Sequence, residues 1–130
     1  MKTKNTYWII AGILNLFTTF LHLIGGQVDL INPLLKSDIE TQVQTEMLGV
    51  WHMVTIILFA SSIIFLKRGF NKKEVYNVEL IRFISFLYIS FSFAFIFSSI
   101  ILSTLAPQWI LLFPIGVLGI IGLKKIKKNA

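Results

Sequence analysis

Residues 46–66 read EMLGVWHMVTIILFASSIIFL, and this stretch decides the fold class. After Glu46 it carries no charged residue as far as Leu66. About 20 consecutive apolar residues are what an α-helix needs to cross roughly 30 Å of hydrocarbon. Trp51 and His52 lie near its start. An imidazole is costly against lipid, so the sequence predicts that His52 faces a bundle interior or a cavity.

Three more stretches of the same kind surround this one. With Met47 to Leu66 they are Tyr7 to Gly26, Leu80 to Thr104 and Gln108 to Leu123. The charged fraction is 14%, against about 25% in an ordinary soluble domain. That deficit leaves too little charge for a water-facing surface. The expected fold is all-α, a single integral membrane domain over residues 1–130 built as a four-helix transmembrane bundle.

The charge pattern orients the bundle. With four spans, one side collects Lys2, Lys4, Lys67, Arg68, Lys72, Lys73, Arg82, Lys124, Lys125, Lys127 and Lys128 against only Glu74 and Glu79. The other side has Lys36 against Asp29, Asp38, Glu40 and Glu46. An excess of Lys and Arg marks the cytoplasmic side, so both termini are expected in the cytoplasm. The net charge of +6 is thus a topology signal, and nucleic acid is not an expected partner. The lipid bilayer is. Lys67 to Lys73 reads as a cytoplasmic turn, broken by Gly69, that meets anionic headgroups. Arg82 is placed to snorkel to the same surface.

There is no cysteine, which excludes disulfides, thiolate metal sites and thioether haem attachment. Lys2-Thr3-Lys4 before an apolar run resembles a signal peptide. The run is long and has no small-residue cleavage site, so it reads as an uncleaved anchor.

The polar residues inside the spans are arranged in stripes. Asn15, Thr18, Thr19, His22, Gly25 and Gly26 share one helical face, the side expected to meet neighbouring helices. On the second helix Thr45, Gly49, His52, Thr55 or Ile56, and Phe59 share a face, while Trp51 points elsewhere as an interfacial anchor. Glu46 lies about 120° around the helix from His52 and reads as a solvated residue. Ser37-Asp38-Ile39-Glu40 fits a capping box. The second helix is therefore expected to start near Asp38 and to extend beyond the lipid on the outer side, after a loop from Gln27 that turns at Pro33. Ser85, Tyr88, Ser92, Ser99 and Ser103 repeat along the third span. A tight turn, Leu105 to Pro107, leads to a fourth helix in which Pro114 predicts a kink and Gly116, Gly119 and Gly122 permit close packing.

His22 with Gly25-Gly26, Pro33-Leu34-Leu35, Trp51-His52, Pro107-Gln108-Trp109 and Phe113-Pro114-Ile115 resemble the pattern of small bacterial four-helix membrane proteins of uncharacterised function. The resemblance covers nearly the whole chain. It implies a bacterial inner (cytoplasmic) membrane and a helical bundle, and it brings no functional residues with it.

His22 and His52, the only histidines, are expected at similar depth on consecutive helices. The leading reading is a binding or accessory protein with a polar pocket in the outer half. His22, His52, Gln108, Gln27 and Ser103 would line that pocket and receive a small polar molecule, a lipid headgroup or a quinone ring. A second reading makes His22 and His52 ligands of haem or a metal ion, with Asp29, Glu46 or water completing the shell. A third is a structural or interaction protein, as an oligomer or with a partner subunit. No Ser-His-carboxylate arrangement follows from the spacing, and four helices without an inverted repeat give no basis for alternating access.

Overall fold

The computed structural model describes residues 4–71 and 78–128, with side chains described to Lys125. Among the described residues all regular structure is helical. Four helices are present: α1 (Thr6–Leu35), α2 (Thr41–Phe70), α3 (Val78–Ile101) and α4 (Trp109–Lys128). The first three are long and apolar enough to cross a membrane. Their outward faces are a continuous apolar coat, with Ile13, Phe17, Ile56, Phe83, Phe97 and Ile100 each more than half exposed. Side chains of this kind are stable on an outer surface only where the surroundings are themselves apolar.

α1 starts at Asn5, whose side chain accepts a hydrogen bond from the Trp8 amide. Instead of ending at Gly26, it continues to Leu35. Two π turns, Leu21–Gly25 and Gln27–Ile31, interrupt its α-helical geometry, and Asn32–Leu35 closes it. The expected loop from Gln27 is therefore helix, and Pro33 sits inside the final turn rather than breaking the chain. A π turn is wider than an α turn, which gives the proline ring room where a regular turn would clash.

The capping box does not form either. α2 begins at Thr41 with Glu40 as its N-cap and no side-chain cap bond. The Ser37 hydroxyl donates back to Leu34 O at 2.6 Å, and Gln44 Nε2 closes the loop by donating to the carbonyls of Ser37 and Ile39. Ser37 thus ends the first helix instead of starting the second. At the far end α2 passes through Gly69 to Phe70, so Gly69 is a packing residue, not a breaker. Lys72 and Lys73 of the expected turn lie outside the described residues.

α3 ends in a Schellman-type turn. Thr104 N–H bonds Ser99 O at 3.1 Å and Ser103 N–H bonds Ile100 O at 3.3 Å. Ser103 has φ of 48°, the left-handed conformation this turn requires. The span consequently stops at Ile101, not Thr104. The helix of α4 continues across Pro114.

α1 packs along both α2 and α4, and α4 packs along α3, whereas α2 and α3 meet chiefly through side chains. The core between them contains Trp8, Ala11, Leu58, Phe65, Ile81, Ile84, Tyr88, Leu112 and Ile115. Small residues set the closest approaches. A Cβ on Gly69 would lie 2.8 Å from the Ile9 nitrogen, and one on Gly116 would lie 2.7 Å from Ser85 O. Gly119 and Gly122 face Ser85 and Trp8 in the same way, so the three-residue glycine spacing of α4 is the seam against α3 and α1.

Candidate functional site

The polar stripe of α1 is buried where expected: Asn15, Thr18 and Thr19 are inside, and His22 is half-buried. The facing stripe of α2 is Trp51, Leu58, Ser61, Ser62, Phe65 and Gly69, a repeat of three and four residues. This corrects the phase expected for α2. Trp51 points into the α1 contact, while Thr45, Gly49 and His52 lie on an exposed face. The imidazole that drew attention in the sequence faces outward, and its neighbour the indole faces inward.

His22 meets that indole. The rings stack with centroids 3.7 Å apart and planes inclined by 17°. His22 Nε2 lies 3.1 Å from Trp51 O. A carbonyl oxygen can only accept, so Nε2 carries the proton and Nδ1 keeps its lone pair. Trp51 O also accepts from the Thr55 hydroxyl at 3.1 Å. The edge of the indole lies on Gly26, where any Cβ would collide with it. Trp51 Nε1 is buried with no hydrogen-bond partner, a rare condition for an indole N–H. All of this coincides with the π turns of α1, a geometry that recurs at functional sites.

The other candidate residues lie elsewhere. Gln27 Nε2 donates to Asn32 Oδ1 on its own helix at 3.0 Å. Gln108 is exposed at the start of α4, and its carbonyl accepts the Leu111 and Leu112 amides at 3.2 Å. Ser103 is exposed in the α3 turn and lines a shallow apolar groove with Ser99, Ile100, Thr104, Leu105 and Trp109. Glu46 accepts from Gln42 at 2.6 Å on the surface of α2. Among the described residues no three His, Cys, Asp or Glu side chains come together as a metal site.

A second polar group lies deeper. Asn15 Nδ2 donates to Ser61 Oγ at 2.9 Å and to Leu58 O at 3.1 Å, and the Tyr88 hydroxyl donates to Asn15 Oδ1 at 2.8 Å. Ser61 Oγ and the Tyr88 hydroxyl are 2.6 Å apart. The triangle ties α1, α2 and α3 together, and every polar atom in it is satisfied, so it holds helices in register instead of presenting a reactive group. Around it the hydroxyls of Thr18, Thr19, Ser62, Ser85 and Ser92 bond carbonyls of their own helices, four residues back. The sequence stripes marked Asn15 and Tyr88. Ser61 and Ser62 went unremarked, although they stand ten and eleven residues beyond Trp51, close to three helical turns.

The third polar group closes the opposite end. Asn5 N–H donates to Gly69 O and Asn5 Nδ2 donates to Gly122 O, each at 2.9 Å. Trp8 Nε1 donates to Gly119 O at 3.1 Å. Neither Asn5 nor Trp8 stood out in the sequence, since one precedes the apolar run and the other resembles an interfacial anchor. Comparison with protein-family models, with curated proteins and with solved structures returns no match.

Proposed function

We propose that the chain is a multi-pass membrane protein that acts as a binding or accessory protein through the His22–Trp51 contact in the outer half of its helices. The supporting observation is the buried indole N–H of Trp51, unpaired beside an imidazole whose Nδ1 is an acceptor. A donor and an acceptor carried by two stacked rings suit a small ligand with both functions, such as a headgroup or a quinone ring. The wider proposal has α4 as a fourth span, both termini in the cytoplasm of a bacterial cell, and the α1–α2 hairpin extending outward. At about 1.5 Å per residue, each of these two 30-residue helices is roughly 45 Å long against a hydrocarbon layer of about 30 Å. Shared ligation of haem or metal by both histidines would use the free Nδ1 of His22, but it would need His52 to turn in from its exposed face, and among the described residues no three His, Cys, Asp or Glu side chains come together.

A variant with Trp8→Phe and Trp109→Phe leaves Trp51 as the sole indole. Titration of this protein in nanodiscs with a short-chain quinone and with short-chain phospholipids should give a saturable change in Trp51 emission for one of them. His22→Ala should abolish it. No saturable change with either class would overturn the binding reading. It would leave the interaction-protein reading, which the exposed face of Thr45, Gly49 and His52 favours.

A further inference from the structure

The Asn5 junction gathers three basic segments that are far apart in the sequence. Its backbone amide reaches Gly69 O on α2, and its side-chain amide reaches Gly122 O on α4. Lys4 is one residue from this junction, Lys67 and Arg68 one or two, and Lys124 and Lys125 two or three. Five cations therefore lie within three residues, along the chain, of the backbone positions this junction ties together. Among the described residues none of the five is in an ion pair, whereas Arg82 on α3 pairs with Glu79 at 2.7 Å.

Two of the five cations are already positioned. Lys4 Nζ lies 5.3 Å from the centroid of Phe70 at the end of α2, and Lys125 Nζ lies 5.7 Å from the centroid of Tyr7 on α1. A ring face attracts a cation without neutralising it, so each ammonium keeps its charge for another partner. The first stands on the α2 flank of the α1 start and the second on the α4 flank. Holding them there in advance reduces the side-chain entropy lost when an anion binds.

We propose that this end of the molecule is a docking surface for an anionic phospholipid whose headgroup carries two phosphates. Lys4, with Lys67 and Arg68 beside it, takes one phosphate, and Lys125, with Lys124, takes the other. Charge complementarity selects the partner: a helical, apolar-coated protein meets anions at its helix ends as phospholipid headgroups. The surface is separate from the His22–Trp51 contact and stands whether or not that contact binds a ligand.

The test uses the full chain in phosphatidylcholine vesicles and measures association of spin-labelled lipids. A two-phosphate lipid should be preferred over a one-phosphate anionic lipid at matched total charge. The preference should fall about fivefold for each ammonium removed in Lys4→Gln and Lys125→Gln, and with added salt. Lys36→Gln should leave it unchanged. Asn5→Ala should scatter the cations and remove the preference for two phosphates; should that variant fail to fold, the lysine variants decide. Equal association of the two lipids, or an equal loss in Lys36→Gln, would overturn the proposal.

Discussion

Tyr88→Phe removes a single oxygen atom from the most connected polar point of the structure. The side chain is fully buried, and Phe occupies the same volume, so no cavity term arises. What is lost is the donor to Asn15 Oδ1, at 2.8 Å. Ser61 Oγ keeps its bonds to Asn15 Nδ2 and to Ile57 O, so Asn15 Oδ1 is the one atom orphaned. An orphaned buried acceptor costs about 1–3 kcal/mol, whereas hydrogen bonds between membrane helices average about 0.6 and reach about 1.7 kcal/mol. The two ranges meet at about 1–2 kcal/mol, which is the expected loss. Asn15→Leu removes the amide altogether and lets the Tyr88 hydroxyl donate to Ser61 Oγ, 2.6 Å away. Tyr88→Phe should therefore cost less in the Asn15→Leu background, by about 0.6–1.7 kcal/mol. The assay is reversible unfolding in mixed micelles followed by circular dichroism, run as a double-mutant cycle. Equal costs in both backgrounds would refute the account of the triangle.

The same unfolding titration tests the glycines. Gly69→Ala should destabilise, because the new Cβ meets the Ile9 nitrogen at 2.8 Å and the backbone cannot yield. Gly49→Ala, with nothing within 4 Å, should be stabilising by about 0.5–1 kcal/mol. Ser103→Gly should stabilise by up to about 1 kcal/mol, since it relieves a left-handed residue that carries a Cβ. For topology, Lys36→Cys should react with an impermeant thiol reagent on intact cells and Lys72→Cys should not; labelling of Lys72→Cys alone would invert the proposed orientation.

Composition and periodicity were enough to determine the class. Charge is too scarce for a solvated surface, and the apolar runs are too long for anything but helices that bury their backbone polar groups internally. The inward stripes of α1 and α3 were legible for the same reason, since Asn15, Thr18, Thr19, Ser85, Tyr88 and Ser92 recur at helical spacing on largely apolar cylinders, and all six are buried. α2 was misread because it offers two stripes of equal quality. One contains Thr45, Gly49 and His52, and the other Trp51, Ser61, Ser62 and Gly69. Polarity favoured the first, but packing chose the second. The indole fits only where Gly26 leaves a gap, and Gly69 alone allows Asn5 to reach the backbone of α2. The extension of α1 to Leu35 was hidden as well, because a proline reads as a stop unless a widened turn precedes it. A helix face can be read from one chain, but which of two faces is buried depends on the shape of the neighbour, and that exists only in the folded structure.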